Sequence, residues 1–433
     1  MTLEQLFQEH DLELTHEVRE MFRENRSTLI LPSKVEAKLK YIPKTELLSI
    51  DSDEETAKEL ILIILSNFSD TFYKSTTNYA TEEQKDGYKV LNAEILKGQV
   101  KLYSNKTSPY NTILKLLIKI GIIEKGRNYS AELRSNEYRL TKTFFGKGTV
   151  KYNIKTDVLR KKQQRVEESN LRKVLACPIA YNELLNRPKI KFPTEEEAKD
   201  YLIELSKNGI TNKRGKKIIY LNKRNKEDFK DSVFVEDYLQ ILSYLQKIVL
   251  PFIISDNGGN RVITSFNFLP SVLRPLITVD GQKLCEADYS CLHPNITQFI
   301  YGGTNNEIIT HNKVAEYLGI TRTEAKIEHL SFFNKPWSTM MYSPLFKYYA
   351  SNEMTMMANI YKSKEEYGYK QTSKDCFHFE TEIMRDNVKE MRSKGITVVY
   401  CFDALYTPKN TLEEVREIMN TTALEYGLLT TVS

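Results

Sequence analysis

The sequence predicts an α+β protein. Its N-terminal half reads as mostly helical with one small helix-and-hairpin module, and its C-terminal part as an antiparallel sheet surrounded by helices. Three observations lead to that class. Apolar residues recur at helical spacing in stretches such as TAKELILIILSNFSDTFY, the pattern of helices that bury one stripe. Two β-type runs far apart in the chain, Leu284–Asp288 and Ile396–Phe402, each lead to an aspartate at the strand end. Between them, GITRTEAKIEHLSFFN opens with Thr321 three residues before Glu324, a helix-start signature.

The bulk composition is that of an ordinary soluble protein. Its 433 residues, 41% hydrophobic and 27% charged, suffice for two to four domains. The net charge of +5 permits an acidic partner without demanding one. Five cysteines, Cys177, Cys285, Cys291, Cys376 and Cys401, show no C-x-x-C spacing. That argues against structural zinc and for a reducing, cytoplasmic setting. The opening MTLEQLFQEHDLE is acidic and polar, unlike a secretory leader. The longest apolar run, Leu60 to Leu65, is far too short to span a bilayer, so no membrane association is expected.

Taken in order, residues 1–80 read as helices without evident chemistry. Residues 81–150 are more specific. Ser108-Pro109 is a cap and first-turn signal; Ile113, Leu114, Leu117 and Ile118 share one helix face, and Gly121 stops the helix. Two short β-type runs follow, Ile122–Glu124 and Glu137–Leu140, around a basic tip. A helix followed by such a hairpin resembles a winged helix-turn-helix module, in which Arg127 and Arg134 on the wing would touch nucleic-acid phosphate. The bland alternative is a small packing domain that binds a protein. Residues 151–250 read as a helical, basic connecting region. There Lys213, Arg214, Lys216 and Lys217, followed by Lys223 and Arg224, crowd around one glycine turn. They form either a solvated loop or a clamp on a nucleic-acid backbone, whose binding would weaken steeply with salt. Arg160-Lys161-Lys162 with Arg165 could serve the same surface. The glycine loop Phe145–Thr149 lacks the spacing and following helix of a P-loop.

Residues 251–433 carry the chemistry. On the Leu284–Asp288 strand, Cys285 and Ala287 face one side while Glu286 and Asp288 face the other; Pro294 then opens a helix. The Ile396–Phe402 strand ends at Asp403, and Leu405-Tyr406-Thr407 can return as a hairpin arm. Placed side by side, the two strands would bring Asp288 and Asp403 together. Two close carboxylates repel unless divalent cations lie between them. Two magnesium ions, or manganese in their place, suit such oxygen ligands and in-line phosphoryl transfer. Arg322 and Lys326, four residues apart, share a helix face that could grip a triphosphate. Taken alone, they would read as two exposed cations on an amphipathic helix.

The order acidic strand, basic helix, acidic hairpin resembles the palm and fingers of family A DNA polymerases and of the single-subunit phage RNA polymerases. Asp288-Tyr289-Ser290 matches the first motif, Arg322 and Lys326 the Arg-x-x-x-Lys of the fingers helix, and Asp403 the acid of the third motif. Arg261 and Arg274 lie where the family has an Arg-rich stretch that contacts template or primer backbone. The resemblance covers roughly residues 251–433. It implies a polymerase-like palm with helical fingers, and a partnership with template DNA or RNA and nucleoside triphosphates. It implies also that Asp288, Asp403 and the Tyr289 carbonyl bind the two metals, with Arg322 and Lys326 on the triphosphate. Lys326 would protonate pyrophosphate, and Phe333 would stack on the incoming base. The layout is also similar to replication-type proteins of phages and mobile elements. Departures from the pattern are Phe402-Asp403-Ala404 in the third motif, Phe333-Asn334 closing the fingers helix, and His293 where DNA-polymerising members have Glu. That last change favours ribonucleotide use or no strict choice, making a primase or RNA polymerase as good a reading as a DNA polymerase. His293 could approach a substrate phosphate or sugar, or cap the turn before Pro294. Glu286 is a candidate third carboxylate, whereas Glu380 and Glu382 read as solvated residues preceding a helix. Two other functions stay open: a DNA-binding initiator or regulator with a degenerate palm, and a metal-dependent nuclease.

Overall fold

The computed structural model describes residues 2–76, 81–102, 108–127, 135–212, 215–220, 232–254, 259–304 and 307–433. The chain is α+β, with helices dominating and several small sheets, nearly all antiparallel. The Glu54–Ser66 helix anchors the first core. Asp53 caps it by accepting from the Thr56 amide at 2.8 Å, and Leu60 through Leu65 are all buried. One carboxylate, Glu59, lies within that buried stripe. It is satisfied by the Tyr152 hydroxyl (3.0 Å) and the amides of Lys155 (2.5 Å) and Thr156 (3.0 Å), as a buried charge requires.

The helix predicted after Ser108 spans Tyr110–Lys119, but its N-cap is Pro109 and no side chain caps it. The Ser108 hydroxyl donates instead to the Lys97 carbonyl at 3.4 Å. Gly121 ends the helix at φ +71°, a conformation that side chains resist. Strands Ile123–Lys125 and Glu137–Leu140 pair antiparallel, and Lys89–Val90 adds a third strand beside the second. The tip between them, Arg134 included, lies outside the described residues. A single hydrophobic cluster runs from Leu29 to Leu159, so the two regions divided in the sequence at residue 80 share one core.

The C-terminal part is organised by a five-stranded antiparallel sheet. Its order is Val399–Cys401, Ala404–Pro408, Gln282–Asp288, Thr278–Val279 and Ile190–Lys191. Side chains alternate between its faces. Ala287, Tyr400 and Leu405 join the core formed with the Pro178–Asn186, Gln371–Ser393 and Leu412–Glu425 helices, which also takes in Leu6, Phe7 and Val18 from the N-terminal end. Val399, Cys401, Ala404 and Tyr406 face the opposite core, built with the Glu195–Lys207 and Val235–Leu245 helices. A fourth cluster, from Tyr301 to Ile360, packs the helices between the two acidic strands, including Arg322–Phe332 with the Thr321–Glu324 capping box. Among the described residues no helix is long and apolar enough to cross a membrane.

Candidate active site

Asp288 is the last residue of the Gln282–Asp288 strand and stands opposite Ala404 in the ladder. Asp403 is the next residue back. The hairpin pairs Cys401 with Ala404, so Phe402 and Asp403 alone make its turn. A two-residue hairpin loop calls for positive φ, and Phe402 supplies it at φ +61°, an uncommon state for a bulky residue. The Tyr289 amide donates to the Asp403 carbonyl at 3.2 Å, which ties the two acidic segments together. On the other edge, the Ser433 amide donates to the Asp288 carbonyl (3.0 Å) and the Ser290 amide to the Thr431 carbonyl (2.8 Å). The backbone that carries Asp288 is thus held from both sides.

Asp403 is half-buried. Burial raises the pKa of its carboxyl, and the nearby Glu380 charge adds to this, while His293 and Arg261 act the other way. Among the described residues no lysine or arginine pairs with it. A desolvated carboxylate without a counter-ion, one ladder position from a second aspartate, is an oxygen donor set that fits a hard divalent cation. Among the described residues no cluster of three or more His, Cys, Asp or Glu side chains forms a ready-made cage. Glu286, the candidate third carboxylate, is exposed and accepts from the Tyr406 hydroxyl, which in turn accepts from Arg274 at 2.9 Å. The Tyr289 ring points away into the core, where its hydroxyl donates to the Met419 carbonyl at 2.6 Å and accepts from Asn387 at 3.0 Å.

The basic helix approaches the same end of the sheet. Burial raises the Cys291 thiol pKa; Arg322 and Lys326 pull it down and Asp288 pushes it up, so Cys291 lies within the field of all three. Arg322 and Lys326 are exposed and pair with no carboxylate among the described residues. His311 is held down to about 4 by burial and by those two cations. His329, its ring nitrogen 3.1 Å away, is held at about 4 by burial and by His311. Both imidazoles are therefore neutral at pH 7. Phe333 departs from its expected role. It is 5% exposed, and its ring packs edge-on against Phe332 and Tyr349 in the helical core, so it is not presented for stacking on a base. The exposed residues in line with Arg322 and Lys326 at four-residue spacing are Leu330 and Asn334.

Three further residues gather beside Asp403 in a way the sequence did not suggest. Glu380, read as solvated, lies inside the Gln371–Ser393 helix with its side chain only 1% exposed. Burial alone would raise its pKa, yet Arg261 and His293 hold it at about 2. Arg261 donates to it at 2.9 and 2.5 Å, and His293 Nε2 lies 2.7 Å from the same carboxylate. The Arg261 guanidinium also stacks on Phe377 (3.8 Å) and Phe402 (5.1 Å). Arg261 is thus occupied within the protein rather than extended toward a nucleic-acid backbone. His293 does not cap the turn, where Cys291 is the N-cap residue; its Nε2 faces Glu380, and its side chain stays 34% exposed. A signal for Glu380 was present: Cys376, Glu380, Ile383, Met384 and Asn387 follow one helical stripe, and a carboxylate among buried positions needs a partner.

The remaining basic residues are scattered. Arg274 packs over Phe266 and Tyr406 beneath the sheet, with its guanidinium on the Tyr406 hydroxyl. Arg127 pairs with Glu137 at 3.1 Å. Lys216 and Lys217 follow the Gly215 turn at the start of a short strand, and Lys213 and Arg214 lie outside the described residues.

No protein-family model matches the chain, and no curated protein matches it. Among solved structures, the chain is similar to the POL domain of Pol1 from M. smegmatis in complex with DNA primer-template and dNTP. That likeness has 9% identity over 64% of this chain and 72% of the other, with a TM-score of 0.33, too loose a superposition to fix fold or chemistry by itself.

Proposed function

We propose that the protein is a template-directed nucleotidyltransferase, a DNA or RNA polymerase or a primase, acting in replication or transcription of a phage or mobile element. One observation carries the reading. Asp288 at a strand end and Asp403 in the adjoining two-residue turn lie at one end of the sheet, and Cys291, three residues past Asp288, lies within the field of two unpaired cations four residues apart on a helix. In this reading Asp288, Asp403 and the Tyr289 carbonyl hold two magnesium ions. Metal bound there would offset charge on the reacting phosphate and favour the ionised 3′-hydroxyl. The 3′-oxygen, its proton passed to solvent, attacks the α-phosphorus, the α–β phosphoanhydride bond breaks, and pyrophosphate leaves. Arg322 and Lys326 grip the triphosphate, and Lys326 supplies a proton to the departing pyrophosphate. The helix-and-hairpin module around Arg127, together with Lys216 and Lys217, would bind the template strand.

The test is extension of a labelled primer, and unprimed synthesis, on single-stranded DNA with magnesium, comparing ribonucleotides with deoxyribonucleotides. Product is expected in at least one lane, falling by about 1,000-fold or more in Asp288→Asn and Asp403→Asn, as loss of a principal electrostatic group does. DNA binding should be unchanged in both variants. Absence of product from the unaltered protein while it still binds DNA would leave a binding protein instead.

A further inference from the structure

The cluster beside Asp403 sets a problem of competition. Arg261 is a permanent cation close enough to Asp403 for the two charges to be felt by one another, and it stacks on Phe402, the residue just before that aspartate. An arginine free to turn toward a half-buried carboxylate would form a bidentate pair with it. That pair would occupy the oxygens a divalent cation needs. What prevents this is visible in the fold. The Gly259 carbonyl accepts from the Thr381 hydroxyl at 2.8 Å, and Gly259 lies so close to Phe377 that a Cβ there would come within 2.4 Å of it. The Gly259–Arg261 segment is therefore pinned along the Gln371–Ser393 helix. Glu380, on that helix, takes two guanidinium bonds and one from the His293 ring.

Resting on the nucleotidyltransferase reading, we propose that Glu380 is a positioning residue that sequesters Arg261 and thereby keeps Asp403 open to a divalent cation. Glu380 is remote from Asp288 in the sequence and touches no substrate in this scheme. Its effect on metal binding passes through where Arg261 points. The group Glu380 controls is thus the affinity of the carboxylate pair for metal, rather than the affinity of the protein for DNA. A purely structural ion pair would show its loss in folding stability, with the manganese affinity of the folded protein unchanged, because an unpaired buried charge weakens the fold rather than the metal site.

The experiment measures manganese binding to the full-length protein by electron paramagnetic resonance, a readout that needs no turnover, with nucleotide incorporation followed in parallel. Glu380→Gln frees Arg261 and should weaken manganese binding at least 10-fold while DNA affinity stays within about 2-fold, a drop of that size being about 1.4 kcal/mol. The double variant Glu380→Gln/Arg261→Gln removes the competing cation as well and should return manganese affinity to within about 3-fold of the unaltered protein. Loss of manganese affinity in a protein that still melts cooperatively, restored by the second change, is the outcome a merely structural role would not give. Unchanged affinity in Glu380→Gln, or a double variant weaker than the single, overturns the inference. Because breaking one side of a buried pair can unfold a protein, Glu380→Asp is made alongside. It keeps the charge but is too short to hold both partners, so a several-fold loss of manganese binding in a cooperatively melting protein supports the same conclusion, and no loss counts against it. If the unaltered protein binds no manganese that Asp288→Asn and Asp403→Asn abolish, the functional reading falls and this inference with it. If it does bind, only the Glu380 variants decide.

Discussion

Lys364 allows a sharp test of how the helical subdomain is held together. The residue is 5% exposed, and its ammonium donates to the carbonyls of Phe333 (2.8 Å), Lys335 (3.0 Å) and Tyr369 (2.7 Å), with no carboxylate among them. It therefore closes the C-terminal end of the Arg322–Phe332 helix, where free carbonyls welcome a cation. Burial nevertheless lowers its pKa from 10.5 to about 8. At about 1.4 kcal/mol per unit, that difference corresponds to about 3 kcal/mol. The sign follows from proton counting. Below pH 8 both folded and unfolded chains carry the charge, and the folded state bears the full cost of burying it. Between pH 8 and 10.5 only the unfolded chain stays protonated, so stability rises with pH and then levels off. Trp337, the sole tryptophan, lies two residues beyond Lys335 and packs against Phe346 and Tyr361 in the same cluster, so its fluorescence reports on this region. Urea unfolding followed at Trp337 should show the unaltered protein gaining about 3 kcal/mol between pH 8 and 10.5 relative to Lys364→Met. Equal pH slopes in the two proteins, or a steeper fall in the unaltered one, would refute the reasoning. It would mean that three carbonyl bonds to the ammonium, each worth about 1.5–3 kcal/mol, outweigh the cost of burial.

Two further substitutions separate structural from chemical roles. Tyr289→Phe leaves the Met419 carbonyl and the Asn387 amide without their buried partner; urea unfolding should register a loss of about 1–3 kcal/mol, with manganese affinity unchanged. A parallel loss of metal binding would contradict the placement of that ring in the core. Phe333→Ala should destabilise the helical cluster by about 3–5 kcal/mol at Trp337. A change confined to the KM for nucleotide, with stability intact, would restore the base-stacking role.

Local features of the chain were legible in the sequence. The Thr321–Glu324 capping box and the shared face of Arg322 and Lys326 depend only on neighbours within one helical turn, and the structure shows both as read. The strand ending at Asp288 followed from period-two patterning, but the partner strand did not: the return arm Ala404–Pro408, not the strand before Asp403, lies beside Gln282–Asp288, and Asp403 sits in the turn. Phe333 was less legible. One position along a helix rotates a side chain by about 100°, and only the surrounding helices determine that this rotation turns Phe333 inward and leaves Leu330 and Asn334 outside.

The sequence by itself determined which residues carry charge and which pairs within a helical turn share a face, because those properties are set by local backbone geometry. The tertiary structure alone decided what each charge meets. Arg261 and Glu380 are 119 positions apart, and neither spacing nor composition specifies that they pair. Burial gives that pairing its consequence: in water the two would be a weak surface contact, whereas beside Asp403, away from solvent, their arrangement governs whether an aspartate faces an arginine or stays open to metal.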